Sequence, residues 1–147
     1  MNEENASKLL HATAVAIHGE GVLLSGQSGS GKSDLALRLI DRGAVLISDD
    51  GVLVDTGGPL PILRTAPNIA GMIEMRGVGI VQMPFVESIP LRLFVNLDSR
   101  PERLPPPLLT TEITGCDIAS IALSAFEASA PLKVERALSA LTESKGS

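Results

Sequence analysis

Residues Gly26-Gln27-Ser28-Gly29-Ser30-Gly31-Lys32-Ser33 form a complete Gly-x4-Gly-Lys-Ser pattern. Its flanks fix what the chain around it can fold into. A short apolar run, Val22-Leu23-Leu24, precedes the loop and predicts a buried strand. Residues 32–42 follow with Leu35, Ala36, Leu37, Leu39 and Ile40, which predicts a helix apolar over much of its surface, stopped at Gly43. Strand, glycine loop and helix in immediate succession predict an α/β phosphate-binding fold. Glycines allow positive φ and a close backbone approach to phosphate oxygens. Successive N–H groups then make an anion nest, to which the helix N-terminus adds partial positive charge. Lys32 is expected on the β- and γ-phosphates and the Ser33 hydroxyl on Mg²⁺.

The next apolar run, residues 44–47, predicts another buried strand and ends in Ser48-Asp49-Asp50. In open α/β sheets the carboxyl ends of strands line the ligand crevice. One carboxylate there can support a cation and a second can take the proton of an attacking hydroxyl. Without the glycine loop upstream, Asp-Asp-Gly would read equally well as a plain turn. Residues 12–17 and 21–25 predict a hairpin about His18-Gly19-Glu20, and short strands are expected at 52–54, 62–64, 78–83, 91–97 and 118–123. Residues 100–107 hold four prolines and predict a surface loop, and Ser129-Ala130-Pro131 predicts a helix start. One domain over 1–147 is expected, with 1–8 and 142–147 frayed.

Composition narrows the partners. Aromatics make up 2% of the chain, with no Trp or Tyr, and the net charge is −5, which together oppose a nucleic-acid partner. No apolar stretch approaches the ~20 residues of a membrane helix, and Met1-Asn2-Glu3-Glu4-Asn5 lacks a signal-peptide start. Cys116 is the only cysteine, which fits a reducing compartment; a cytoplasmic protein is expected.

Three segments together resemble the bacterial HPr kinase/phosphorylase family: the glycine loop with its helix, Ile47-Ser48-Asp49-Asp50, and Glu74-Met75-Arg76-Gly77-Val78-Gly79-Ile80, which is similar to that family's signature stretch. The resemblance covers about residues 9 to 104. It implies a P-loop kinase fold, a central mixed sheet flanked by helices, with a core related to phosphoenolpyruvate carboxykinase. It implies ATP and Mg²⁺ as cofactors and the phosphocarrier protein HPr as partner, phosphorylated on a regulatory serine. It implies a homo-oligomer, hexameric in the well-studied members, and a short form holding only the catalytic domain. By the same resemblance His11, fifteen residues before Gly26, matches a catalytic histidine, Arg103 a phosphoryl-stabilising arginine, and Asp50 the base. Glu74 would reach Mg²⁺ beside Asp49 and Ser33, and Arg76 would organise its loop. The longer enzymes carry a Pro-x-Arg-Pro-Gly-Arg-Asn segment linked to dephosphorylation. Residues 124–131 stand in its place and contain no arginine. The expected enzyme is therefore mainly a kinase. The alternatives are a small-molecule P-loop kinase and a non-catalytic nucleotide sensor.

Overall fold

The computed structural model describes residues 7–101 and 109–146. Along the chain it has β1 (Ser7–Leu10), β2 (Ala12–Ile17), β3 (Glu20–Ser25), α1 (Lys32–Asp41), β4 (Val45–Ser48), β5 (Val52–Asp55) and β6 (Ile62–Thr65). Then come β7 (Met72–Met75), β8 (Gly79–Gln82), β9 (Ser88–Asn96), β10 (Thr110–Ile113), β11 (Cys116–Ala122) and α2 (Ala130–Gly146). The main sheet runs β1-β5-β6-β9-β3-β2-β4, with β11 on β9 and β10 on β11. Strand β3 pairs antiparallel with β2 and parallel with β9, so the sheet is mixed. Strand β9 pairs with β6 through Ser88–Pro90 and with β11 through Phe94–Asn96.

Alternation along β2 and β3 divides the interior in two. Val15, Ile17, Val22 and Leu24 face a cluster with Leu35, Ala36 and Leu39 of α1 and Ala130, Val134 and Leu138 of α2. Both helices therefore cover the same side. Ala14, Ala16 and Leu23 face the opposite side, where Val52, Val54, Leu63, Ile113 and Ile118 meet them. That second core is built of strands alone, as period-two side chains allow. Arg42, at the end of α1, holds Glu135 of α2 through two hydrogen bonds of 2.9 and 2.8 Å. Those bonds to the Glu135 carboxylate raise the Arg42 pKa above its ordinary value.

Two boundary expectations need correction. Ser7 and Lys8, expected to be loose, begin β1, which pairs with β5. Helix α2 continues past residue 142 to Gly146, and the Thr142 hydroxyl donates to Glu20 Oε2 at 2.9 Å. Pairing with β5 holds the backbone of the first segment, and the Thr142 side chain ties the last turns of α2 to Glu20 at the start of β3. No described helix is long and apolar enough to cross a membrane.

Candidate active site

The glycine loop lies between β3 and α1 at the sheet's carboxyl edge. Gly29 and Gly31 take φ of 87° and 93°, the left-handed region that glycine enters without a Cβ penalty. Gly31 is the N-cap of α1 and supplies no side-chain cap, so the first helical N–H groups remain available to an anion. A Cβ on Gly26 would stand 2.4 Å from Ser30 Oγ, so the loop closes only around glycine there. Ser30 Oγ is itself buried without a hydrogen-bond partner. Lys32, buried, donates to the carbonyls of Gly26 at 2.6 Å and Gln27 at 3.1 Å, which holds its ammonium against the loop. A buried orphan hydroxyl, a nest of amides and an ammonium fit the phosphates of a nucleotide.

Asp49 closes the other flank. It is buried, and three elements converge on its carboxylate. Ser33 Oγ donates to Oδ1 at 2.6 Å, Thr13 Oγ1 to Oδ1 at 2.9 Å, and the Glu74 N–H to Oδ2 at 3.3 Å. A serine hydroxyl beside a carboxylate is a hard oxygen pair, which suits Mg²⁺. That ion usually takes one or two protein ligands and keeps waters and phosphates for the rest. Among the described residues no group of three or more His, Cys, Asp and Glu forms a dedicated metal cage. Glu74 meets Asp49 through its backbone, and its side chain is exposed.

Asp50 is exposed and holds φ 54°, a left-handed conformation that Asp tolerates better than most residues. Its N–H donates to Thr13 Oγ1 at 3.1 Å. Thr13 thus accepts from the Asp50 backbone while donating to the Asp49 carboxylate, and so ties the Asp49 side chain to the turn that carries Asp50. Exposed His11 sits between β1 and β2, where Leu10 pairs with Val52 and the Gly51 N–H donates to Ala12 O. It therefore lies alongside the Asp50-Gly51 turn. Arg76 is exposed in the turn of the β7–β8 hairpin, closed by a Val78 N–H to Met75 O bond of 2.9 Å. Ile73, buried in the helix-side core, anchors that hairpin. Arg103 lies outside the described residues.

Thr13 and Asp98 escaped the sequence reading. Thr13 is a fully buried hydroxyl in an otherwise apolar strand, and that contrast was its signal. Asp98 follows β9, and its Oδ1 accepts the Gln27 N–H at 3.0 Å. Its signal was position, as a carboxylate just past the end of a strand parallel to β3.

The family model for the HPr Serine kinase C-terminal domain matches residues 3–143. The chain is 35% identical over 126 residues to the HPr kinase/phosphorylases of Burkholderia lata and of Burkholderia cenocepacia. Each alignment takes in 78% of this chain and 39% of the relative, so the chain spans about two fifths of those proteins' length. Among solved structures, the Hpr(Ser) kinase/phosphatase from Coxiella burnetii superposes with a TM-score of 0.81 at 26% identity, over 95% of this chain and 99% of that one.

Proposed function

We propose a function from the premise that this chain belongs to the HPr serine kinase C-terminal domain family: it is an ATP-dependent protein kinase that phosphorylates a serine of HPr. One observation carries the reading. A buried Asp49, bound by Ser33 of the phosphate loop, stands directly beside an exposed Asp50. The first carboxylate faces the phosphates and the second faces an incoming substrate, which is the division that transfer to a hydroxyl requires.

In this reading the loop amides, Ser30 and Lys32 hold the triphosphate, and Lys32 offsets the charge that builds on the transferred group. Asp50 accepts the serine proton as the oxygen attacks. Thr13 holds the Asp49 carboxylate and the backbone of Asp50 in place. His11 flanks Asp50, Arg76 orders the hairpin against Asp49, and Arg103 stabilises the phosphoryl group. Mg²⁺, held through Ser33, Asp49 and Glu74, would neutralise phosphate charge. By kinship the protein works as a homo-oligomer, hexameric in form, in the cytoplasm.

The test is incubation with γ-labelled ATP, Mg²⁺ and HPr, followed by phosphosite mapping, with Lys32→Ala as the control. Label on one HPr serine, abolished in a folded Lys32→Ala protein, is the expected result. Label on a metabolite and none on HPr would make it a small-molecule kinase. Nucleotide binding without turnover would make it a sensor.

A further inference from the structure

We propose that the loop after β11 is the nucleoside seat of this site, with the Phe126 ring as the platform on which the base stacks. The inference rests on reading the glycine loop as a nucleotide site, and it adds where the rest of the nucleotide lies.

Strands β9 and β11 run parallel to β3, so all three deliver their following loops to one edge of the sheet. The sheet order places β2 and β4, with Thr13 and Asp49, on one side of β3, and β9 and β11 on the other. A nucleotide whose phosphates fill the loop and whose reacting end faces Asp49 must send its nucleoside toward β9 and β11.

That flank is concave. A cavity of about 260 Å³ lies between loop residues 27–30, Leu97 and Asp98 after β9, and residues 124–126 after β11. This is just under the ~300 Å³ at which small-ligand pockets begin, a size suited to part of a nucleotide. Phe126 is 71% exposed, in a chain with three Phe and no Trp or Tyr. The loop that carries it is nevertheless held in place, and the ring lies beside Gly31. Ring atoms Cε1 and Cζ lie 3.2 and 3.3 Å from where a Gly31 Cβ would be. The Arg38 guanidinium donates to the carbonyls on either side, Ala125 O and Glu127 O, and is paired with Asp34 at 3.0 Å. An anchored loop that leaves an aromatic face in water beside an anion nest has the features of a stacking platform, which accepts any base because every base has a π-face. Asp98 at the same cavity repels phosphate and can accept hydrogen bonds from hydroxyl or amino groups, so it favours the nucleoside over the phosphate chain there.

The experiment compares ADP with inorganic tripolyphosphate, each with Mg²⁺, by calorimetry. Phe126→Ala is expected to weaken ADP about five- to hundredfold and to leave tripolyphosphate unchanged. Phe126→Trp is expected to keep ADP affinity. It also introduces the only indole in the chain, whose fluorescence ADP should quench and tripolyphosphate should not. Unchanged ADP affinity in Phe126→Ala overturns the proposal, and so does an equal loss for both ligands. A raised KM for HPr with ADP affinity intact also overturns it, by assigning the ring to protein docking. The expected ADP pattern in the variants, with no phosphate transferred to HPr by the wild type, supports the nucleoside seat and defeats the kinase reading alone.

Discussion

Replacing Thr13 with valine removes one hydroxyl from a fully buried position. That hydroxyl donates to the Asp49 carboxylate at 2.9 Å and accepts the Asp50 N–H at 3.1 Å. Loss of a hydrogen bond to a charged group costs about 1.5–3 kcal/mol, and an N–H left without its acceptor adds about 1 kcal/mol in a half-buried setting. The methyl group gained returns up to about 0.8 kcal/mol. Asp49 keeps Ser33 and the Glu74 N–H, so it is not left as an unpaired buried charge. The net expectation is a loss of about 2–3 kcal/mol, or about 5–10 °C in Tm for a domain of this size. Urea denaturation of wild type, Thr13→Val and Thr13→Ser measures it, with Thr13→Ser expected to retain most of the stability. Thr13→Val within about 0.5 kcal/mol of wild type would refute the reasoning. Equal destabilisation of Thr13→Val and Thr13→Ser would also refute it, because Thr13→Ser keeps the hydroxyl.

Asp50→Asn is expected to lower transfer to HPr by roughly the 10²–10⁴-fold of a lost general base; a retained rate, with the loss appearing in Asp49→Asn, would reverse the two roles. Gly31→Ala must fit a Cβ 2.8 Å from that of Ala125 at a φ of 93°, so a loss of about 2–4 kcal/mol in stability and a matching fall in nucleotide affinity are expected in thermal and binding measurements. Phosphorolysis of phosphoserine-HPr is expected to be slow, because crowded anions repel by about 4 kcal/mol at 4 Å even in an effective dielectric of 20. Residues 124–131 bring no arginine, and nearby Arg38 is already engaged with Asp34, Ala125 and Glu127. Pyrophosphate release at the forward rate, in millimolar phosphate, would contradict it.

The parts legible in the sequence were those whose cause is local. Val22, Leu23 and Leu24, the glycine spacing and the stop at Gly43 each act within a few residues, and β3, the loop and α1 stand where they were expected. The same holds for β4 and the placing of Asp49 and Asp50 at its end. Strands β1, β7 and β10 were missed because each lacks a longer apolar run and exists through pairing with another strand. Strand β9 starts earlier than expected because Pro90, a strand breaker on its face, is tolerated where it pairs with Ile62 of β6. The site followed the same division. Residues carried by a motif were named, whereas Thr13 and Asp98 act through partners 36 and 71 positions away and have no spacing to betray them.

That difference in reach has a consequence for how the chain assembles. The acidic half of the site needs only the stretch from β2 to β4, a hairpin, a helix and a return strand, all local closures. The other half needs β9 to insert beside β3, and the 71-residue separation of Gln27 and Asp98 makes that a costlier closure in chain entropy. Contacts of high sequence separation form slowly. The expected order is therefore that Ser33 and Asp49 meet first, with Asp98 and Phe126 added last. Pulse-labelled hydrogen exchange would read this as protection of the Val22–Leu24 amides on the β2 side before those facing β9.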